Sequence, residues 1–291
     1  MKEQYDSLEI EVIAFDSEDV ITTSVLEFRR VLFRSPHRHL LKIMSNCCFI
    51  DLYRFADKNI EIRSIFSDIR NLCEAYQVNG VPDFTISTTR SDIDFERVKS
   101  SQEDAFEGIP TRQFSDGYLE SLAIYRKIAE ILPEYDTLLF HGSCVAVDGI
   151  GYLFTAKSGT GKSTHTRLWR ELLGSRAVMV NDDKPLIRVT EDGAIVYGTP
   201  WDGKHRLSTN IAVPLKALCI LERAENNTIH PISAGEAYPM LLQQAYRPMD
   251  GTAMRKTLTL IDKLAASVNL WRLGCNTDIE AAELAYHAMK G

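Results

Sequence analysis

The sequence predicts an α/β protein, and three observations carry this prediction. Strand-like runs alternate with helical periodicity from residue 48 onwards; a glycine-rich loop joins an apolar strand to a helix at residues 154–169; and another apolar strand, at residues 177–183, ends in paired aspartates. A strand–loop–helix–strand order is typical of nucleotide-binding loops. We therefore expect a P-loop domain at residues 134–291, preceded by a small α+β module at residues 44–133.

The first residues need a separate interpretation. Residues 26–35 read LEFRRVLFRS, the translation of a common sequencing adapter. Because a ten-codon match is very unlikely by chance, we interpret residues 1–43 as non-native and Met44 as the predicted native start. The alternative is an unusual basic arm. The first residues also lack the basic and then apolar run of a signal peptide.

Composition limits the class of protein. The chain has 291 residues, a net charge of −7 and 45% hydrophobic residues, enough for a sizeable core. A net-acidic chain without a basic run is a poor candidate for binding nucleic acid or a membrane surface. The sequence contains no run of 18 or more apolar residues, so no transmembrane helix is expected. The six cysteines form no CxxC pair, which favours free thiols, and we expect a cytoplasmic protein without nucleic-acid or membrane partners.

The N-terminal module shows strand and helix patterns but no catalytic constellation. CFIDLYRF, IEIRSIF and DFTIST predict strands, whereas FSDIRNLCEAY, DIDFERV and SDGYLESLAIYRKIAEIL predict helices, the last capped by Ser115. Residues 100–113 are polar and contain Gly and Pro, which predicts a loop. We expect this module to cover the core; a substrate-selecting or partner-binding role is the alternative.

The second half has a different pattern of strands and helices. TLLFHGSCVAVDGIGYLFTA predicts two strands joined at Asp148-Gly149, and PLIRVTEDGAIVYGT predicts a hairpin with Asp192-Gly193 at its turn. Further strands are predicted at AVMVN, LKALCILER and LWRLGC. Further helices are predicted at STHTRLWRELL, GEAYPMLLQQAY, GTAMRKTLTLIDKLAASV and DIEAAELAYHAM.

The loop AKSGTGKS, residues 156–163, follows the pattern G-x-x-x-x-G-K-[ST], except that Ala156 replaces the first glycine. In this pattern glycines let backbone N–H groups turn towards phosphates, the lysine reaches the β- and γ-phosphates, and the serine hydroxyl binds Mg²⁺. We therefore predict ATP and Mg²⁺ as ligands; the alternative is a chance glycine turn before a helix. The predicted nucleotide contacts are Ser158, Gly159, Thr160, Gly161, Lys162, Ser163 and Thr164.

A phosphate loop needs a carboxylate on a neighbouring strand to hold the metal. AVMVNDD supplies Asp182 and Asp183 at the carboxyl end of a strand, where ligands bind in open α/β sheets. One carboxylate suffices for Mg²⁺, so the second is either a bystander or a general base. Neighbours on an extended chain point to different faces, so the two acids need not share a task.

A family resemblance makes these roles specific. HGSCVAVDGIGYLFTAKSGTGKST followed by VNDD resembles the catalytic domain of HPr kinase/phosphorylase, and SGTGKST also resembles ATP-dependent phosphoenolpyruvate carboxykinase, its structural relative. The resemblance covers residues 137–210 well and extends in outline to residue 289, but it does not include the N-terminal module. It implies a largely β P-loop core with a mixed sheet. Oligomers are common among these relatives, and a homo-oligomer stays open here.

The resemblance also implies residue roles. Asp182 matches the catalytic base, His141 the histidine that contacts it, and Asp183 the metal-binding acid, while Lys162 and Ser163 match the loop pair. A satisfied histidine at a strand end is the alternative for His141. The family's downstream signature for its protein substrate is not recognisable, so we expect a related kinase and not HPr kinase proper.

YGTPWDGKHRLSTN, residues 197–210, stands in place of that signature. Lys204 or Arg206 is a candidate for stabilising charge on the transferred group. Trp201 is a candidate for lining an acceptor or adenine pocket. A surface loop that holds such side chains by chance is the alternative.

These observations predict an ATP-dependent kinase that transfers the γ-phosphate to a serine-type hydroxyl of a protein, peptide or small metabolite. The paired aspartates with His141 favour transfer, although water could use the same base. An ATPase or nucleotide-dependent switch without an acceptor is the main alternative. A carboxykinase-like enzyme is less favoured, because chains of that family are longer and carry metal and carboxylate ligands that are not recognisable here.

Overall fold

The computed structural model describes residues 49–203 and 205–291. The predicted non-native segment of residues 1–43, the predicted start at Met44 and the candidate Lys204 lie outside these ranges. The described residues belong to one compact unit.

The described ranges form twelve strands and seven α-helices. The strands are β1 Phe49–Phe55, β2 Lys58–Ser64, β3 Phe84–Ser87, β4 Thr137–Leu139, β5 Ser143–Val147, β6 Ile150–Thr155, β7 Ala177–Asn181, β8 Leu186–Thr190, β9 Gly193–Tyr197, β10 Ala212–Arg223, β11 Thr228–Pro231 and β12 Asn269–Cys275. The α-helices are α1 Asp68–Leu72, α2 Arg90–Glu107, α3 Asp116–Ile131, α4 Lys162–Leu173, α5 Ala234–Gln244, α6 Gly251–Ser267 and α7 Ile279–Met289. None of these helices is both long and apolar enough to cross a membrane.

The strands build a small sheet and a large mixed sheet. The small sheet has the order β1-β2-β3. The large sheet runs β4-β8-β9-β10-β6-β5-β7, with β12 beside β10 and β11 beside β12. β10 is parallel to β6 and β12, whereas the other pairs of this sheet are antiparallel. The prediction of a mixed α/β fold is therefore confirmed.

The large sheet brings three chain segments to one edge. β5 lies between β6 and β7 and is antiparallel to both, with Ser143 opposite Phe154 and Cys144 opposite Asn181. The carboxyl ends of β6 and β7 therefore meet at the amino end of β5. As a result, the glycine-rich loop after β6 and the aspartates after β7 lie near the residues that precede β5.

Helices cover both faces of the large sheet. Cys144 and Ala146 of β5 pack in a core cluster with residues of α5 and α6, whereas Val145 and Val147 pack with α4 and α7. This alternation follows from the pleat of a strand that is buried on both faces. The helix that follows the glycine-rich loop is thereby fixed against the sheet.

The predicted N-terminal module packs on the rest of the unit. The small sheet and α3 share a core cluster with β8 and β9, to which Ile62, Ile128, Leu186 and Tyr197 belong. The boundary predicted near residue 133 stays a prediction.

Local sequence patterns predicted most of the observed helices and strands, and three features differ from the prediction. The predicted first strand of the glycine hairpin is two strands, β4 and β5, because the chain changes neighbours from β8 to β6 and β7. Residues 100–107, predicted as a loop, continue α2, which ends at Gly108 with φ 68°. This half of the helix is largely exposed, so it lacks an apolar stripe. β11 was not predicted.

Both predicted hairpins form. Asp148 and Gly149 have φ of 51° and 80°, the left-handed pair that a two-residue type I′ turn requires. The second turn lies one residue earlier than predicted: Thr190 pairs with Gly193, so Glu191 and Asp192 form the turn.

Gly198 offers a test of how tightly the sheet end is packed. A Cβ at this position would lie 1.9 Å from the carbonyl oxygen of Thr209 and 2.7 Å from that of Val180. Since backbone must then move at the end of β7, we expect Gly198→Ala to lower the free energy of unfolding by about 1–3 kcal/mol, measured by urea denaturation. Gly235→Ala is the matched control, because its Cβ would meet nothing within 4 Å. Equal losses for both variants would contradict the prediction.

Candidate functional site

A cavity of about 620 Å³ opens where the ends of β6 and β7 meet. It brings together most of the predicted site residues. Those that line it are His141, Ser158, Gly159, Gly161, Lys162, Ser163, Thr164, Asp182 and Asp183. Thr160 belongs to the same loop but does not line the cavity.

The glycine-rich loop needs its glycines for backbone reasons. Gly159 and Gly161 have φ of 75° and 126°, conformations that residues with a Cβ rarely adopt. Ala156, which departs from the usual pattern, is buried and is not among the residues with positive φ. Its methyl group packs in the cluster beneath α4. Alanine therefore fits at the first position of the loop without backbone strain.

Arg223, at the end of β10, holds the loop from outside. Its Nε donates to the carbonyl oxygen of Thr160 at 3.3 Å, and its Nη2 donates to that of Gly159. In a trans peptide the C=O and the following N–H point in opposite directions. The contact with Thr160 therefore turns the N–H of Gly161 away from Arg223. This support was missed by sequence reasoning, because Arg223 lies 63 residues after Thr160.

Lys162 begins α4 with little exposed surface. Its Nζ donates to the carbonyl oxygen of Ala156 in its own loop at 3.4 Å, a long and therefore weak hydrogen bond. Burial lowers the pKa of Lys162, and the charges of Asp183 and Asp182 oppose this shift. The ammonium group lines the cavity without a close ion pair among the described residues, which leaves it able to bind an anion.

The Asp182 carboxylate is held between β5 and α4. Asp182 is 4% exposed, and its Oδ1 accepts a hydrogen bond of 2.7 Å from the hydroxyl of Ser143. Ser143 Oγ lies 2.9 Å from Thr166 Oγ1, and Thr166 in turn donates to the carbonyl oxygen of Lys162. These contacts fix the carboxylate relative to the loop helix. Gly203 approaches the other oxygen closely: a Cβ there would lie 3.2 Å from Oδ2.

Asp183 faces a different partner, and this corrects one expectation. The resemblance implied that His141 contacts Asp182, but His141 Nε2 lies 3.4 Å from Asp183 Oδ1. The cause is a turn after β7, in which Asn181 Oδ1 accepts from the N–H groups of Asp183 and Lys184 at 2.8 and 2.7 Å. The Gly142 N–H also donates to the carbonyl oxygen of Asp183. The turn thus directs Asp183 to the segment before β5.

The surroundings of Asp183 keep it ionised. Burial by itself would raise the pKa of this carboxyl, but the His141 contact and the charges of Lys184 and Lys162 outweigh it and hold the pKa below its ordinary value. The two aspartates therefore differ in their partners although both line the cavity.

The stretch at residues 197–210 contributes differently from the prediction. Trp201 does not line the cavity: it is 5% exposed, stacks on Tyr125 with ring centroids 4.1 Å apart, and donates from Nε1 to the carbonyl oxygen of Ser121. Its interpretation as a substrate contact is corrected to a packing role. Arg206 is exposed with φ 47° and also lies outside the cavity lining. Lys204 lies outside the described residues.

Five cavity residues were not predicted as site residues, namely Arg167, Arg170, Met179, His205 and Leu207. A signal for the two arginines was available. Ser163, Arg167 and Arg170 have the spacing i, i+4, i+7, which places three residues on one face of a helix. His205 belongs to the stretch of residues 197–210 that supplied the other candidates, whereas no comparable signal identified Met179 and Leu207.

The donor set allows a partial metal site. No group of three or more His, Cys, Asp or Glu side chains that could hold a metal ion is found among the described residues. Ser163 and Asp183 both line the cavity. Mg²⁺ is commonly bound by one or two protein oxygens together with substrate phosphates and water. These two residues therefore fit Mg²⁺ only when a phosphate-bearing ligand supplies further oxygens.

The fold and the cavity define a mixed α/β protein with a site lined by titratable side chains at the ends of two sheet strands. The family model described as SynChlorMet cassette protein ScmC matches residues 117–263, just over half of the chain. The chain belongs to this family. The matched region contains the glycine-rich loop, both aspartates and His141.

Two further comparisons complete these findings. No curated protein matches the chain. The solved structure of the Hpr(Ser) kinase/phosphatase from Coxiella burnetii is similar in part: it is 11% identical, and the match covers 53% of this chain and 99% of that chain with a TM-score of 0.29. This is a distant structural similarity, and the assignment of the site rests on the geometry of the cavity.

Proposed function

We propose that this protein is an ATP-dependent kinase that transfers the γ-phosphate to a serine-type hydroxyl of a protein, peptide or small metabolite. One observation carries the proposal. One cavity is lined by a loop with two glycines of positive φ, by Lys162 and Ser163, and by the carboxylates of Asp182 and Asp183. The two carboxylates have different partners, Ser143 and His141. Phosphoryl transfer needs this combination of phosphate-binding donors, a metal ligand and a base.

The loop and its helix would bind the donor. Backbone N–H groups of the loop and the ammonium group of Lys162 would hold the phosphates at the amino end of α4, where the helix dipole favours negative charge. Ser163 and the ionised Asp183 would hold Mg²⁺, which supplies neutralisation of phosphate charge when bound. His141 would position Asp183 through the contact at 3.4 Å.

Asp182 would act on the acceptor. Its Oδ1 is occupied by the Ser143 hydroxyl, whereas no hydrogen bond to its Oδ2 is formed by the described residues. Because residue 203 is a glycine, it places no side chain beside Oδ2. This oxygen would take the proton from the attacking hydroxyl.

Label transfer tests the proposal. The full chain would be incubated with γ-labelled ATP, Mg²⁺ and a size-fractionated extract of the source cells. We expect label to enter an acceptor, and Lys162→Ala to lower the initial rate by about 100-fold, as loss of one charge-stabilising donor does elsewhere. Lys99→Ala is the matched control, since Lys99 is an exposed residue of α2.

The other outcomes separate the alternatives. If label is found only as free phosphate in every size fraction, the protein is an ATPase or nucleotide-dependent switch and not a kinase. Equal rates for wild type and Lys162→Ala would contradict the proposed role of the loop.

A further inference from the structure

We propose that Arg167 and Arg170 form a second anion-binding site in the cavity, which takes a carboxylate or phosphate group of the phosphoryl acceptor. This inference rests on the proposed function and narrows the acceptor to an anionic molecule or an anionic segment of a peptide.

The arginines are presented to the cavity by the geometry of α4. Ser163, Arg167 and Arg170 share the helix face that lines the cavity, as their spacing requires. The opposite face is fixed in the core, where Leu168 and Trp169 are buried against the sheet. The helix therefore cannot rotate its arginines out of the cavity without exposing that apolar face.

Arg170 lacks a partner in the described part of the chain. Its Nε is buried and without a hydrogen-bond acceptor, although the residue lines the cavity. A buried guanidinium N–H without an acceptor is unfavourable, and carboxylates and phosphates satisfy a guanidinium with two parallel hydrogen bonds. The guanidinium has no compensating ion pair in this part of the chain, and an anionic ligand in the cavity would supply one.

The two cavity aspartates form no ion pair with either arginine among the described residues. Asp182 accepts from Ser143, and Asp183 contacts His141. Arg167 does pair with Glu171, but both side chains are about half exposed and Glu171 does not line the cavity. An exposed pair of this kind is weak, so a ligand can compete for Arg167.

Position favours the acceptor over the nucleotide. Arg167 and Arg170 follow Ser163 by four and seven residues, which is about 6 and 10 Å along the helix axis. Met179 and Leu207 line the cavity together with them. The donor phosphates already have the loop and Lys162 as partners, so the arginine part of the cavity is available to a second molecule whose hydroxyl must reach Asp182.

Isothermal titration calorimetry with inorganic phosphate as the probe tests this site. Phosphate would be titrated into the full chain alone and in the presence of saturating Mg²⁺ and AMP-PNP, a non-hydrolysable ATP analogue. We expect phosphate to bind in both cases. Arg170→Gln should weaken phosphate binding about tenfold, the value of one charge-assisted hydrogen bond, and change AMP-PNP affinity less than about twofold. Arg167→Gln should weaken it less.

Arg255→Gln is the matched control, because this exposed arginine of α6 lies outside the cavity lining, and circular dichroism would confirm that each variant folds. Loss of phosphate binding when AMP-PNP is present, together with weaker AMP-PNP binding by Arg170→Gln, would assign the arginines to the donor and overturn the proposal. No phosphate binding, or an equal loss in Arg255→Gln, would also overturn it. A wild type that binds phosphate through Arg170 but not AMP-PNP would remove the proposed kinase function while retaining the anion site.

Discussion

Asp182→Asn is expected to slow phosphoryl transfer by about 100- to 10,000-fold, the usual contribution of a general base. Asparagine has the same shape and its oxygen can still accept from Ser143, which lies 2.7 Å from Asp182 Oδ1. The substitution therefore removes the proton acceptor with little change in the surroundings. AMP-PNP affinity should stay within about threefold of wild type, because the loop and Lys162 are untouched. Initial rates of label transfer and calorimetric titration measure the two quantities.

Asp183→Asn is the comparison that separates base from metal ligand. Asp183 contacts His141 and is held ionised by its neighbours, which suits a metal ligand. This variant should need a higher Mg²⁺ concentration for half-maximal rate, whereas Asp182→Asn should leave that concentration unchanged. The reverse pattern would exchange the two roles. An unchanged rate in Asp182→Asn would refute its assignment as the base.

The residues of the site could be predicted where neighbours in sequence are neighbours in space. The loop after β6 and the aspartates after β7 each follow an apolar strand, and such strand ends collect at one edge of an α/β sheet. The register of β5 with both strands brings them together. The mixed sheet that the resemblance implied is present, and the hairpin at Asp148-Gly149 fixes one of its antiparallel pairs in the sequence itself.

The partner of His141 could not be predicted in the same way. It depends on the turn in which Asn181 accepts from the two N–H groups that follow Asp182. The resemblance assigned both aspartates by order along the chain, and order does not specify which side chain turns towards the segment before β5. Asn181 is fully buried, so its amide acts within the fold.

Trp201 was misinterpreted because of its polar neighbours in the sequence. A tryptophan beside Asp202 and two basic residues is typical of a binding loop, yet its ring packs against Phe55 and Tyr125, which come from the N-terminal module. Such long-range contacts have no periodic signal. The arginines of α4 are the opposite case, since the spacing of Arg167 and Arg170 behind Ser163 was present in the sequence.

Trp201→Ala is expected to lower the free energy of unfolding by about 3–5 kcal/mol, the range for removing a buried aromatic side chain. The ring is 5% exposed, stacks on Tyr125 at an interplanar angle of 3°, and lies 5.3 Å from Phe55. The truncation also removes the hydrogen bond from Nε1 to the Ser121 carbonyl at 2.9 Å. Guanidinium denaturation followed by far-ultraviolet circular dichroism measures the loss.

Trp201→Phe is the matched control, because it keeps an aromatic ring in the cluster and removes mainly the hydrogen bond. It should cost about 1–3 kcal/mol, the penalty for a buried carbonyl left without its donor plus a smaller ring.

Asn181 connects this packing to the site, since its Nδ2 donates to the carbonyl oxygens of Thr199 and Trp201 while its Oδ1 holds the turn at Asp183. Trp201→Ala should therefore loosen the aspartate turn through the backbone. Any loss of AMP-PNP affinity should accompany the loss in free energy of unfolding. An unchanged unfolding midpoint with a large loss of AMP-PNP affinity would contradict the packing role and instead restore Trp201 as a ligand contact.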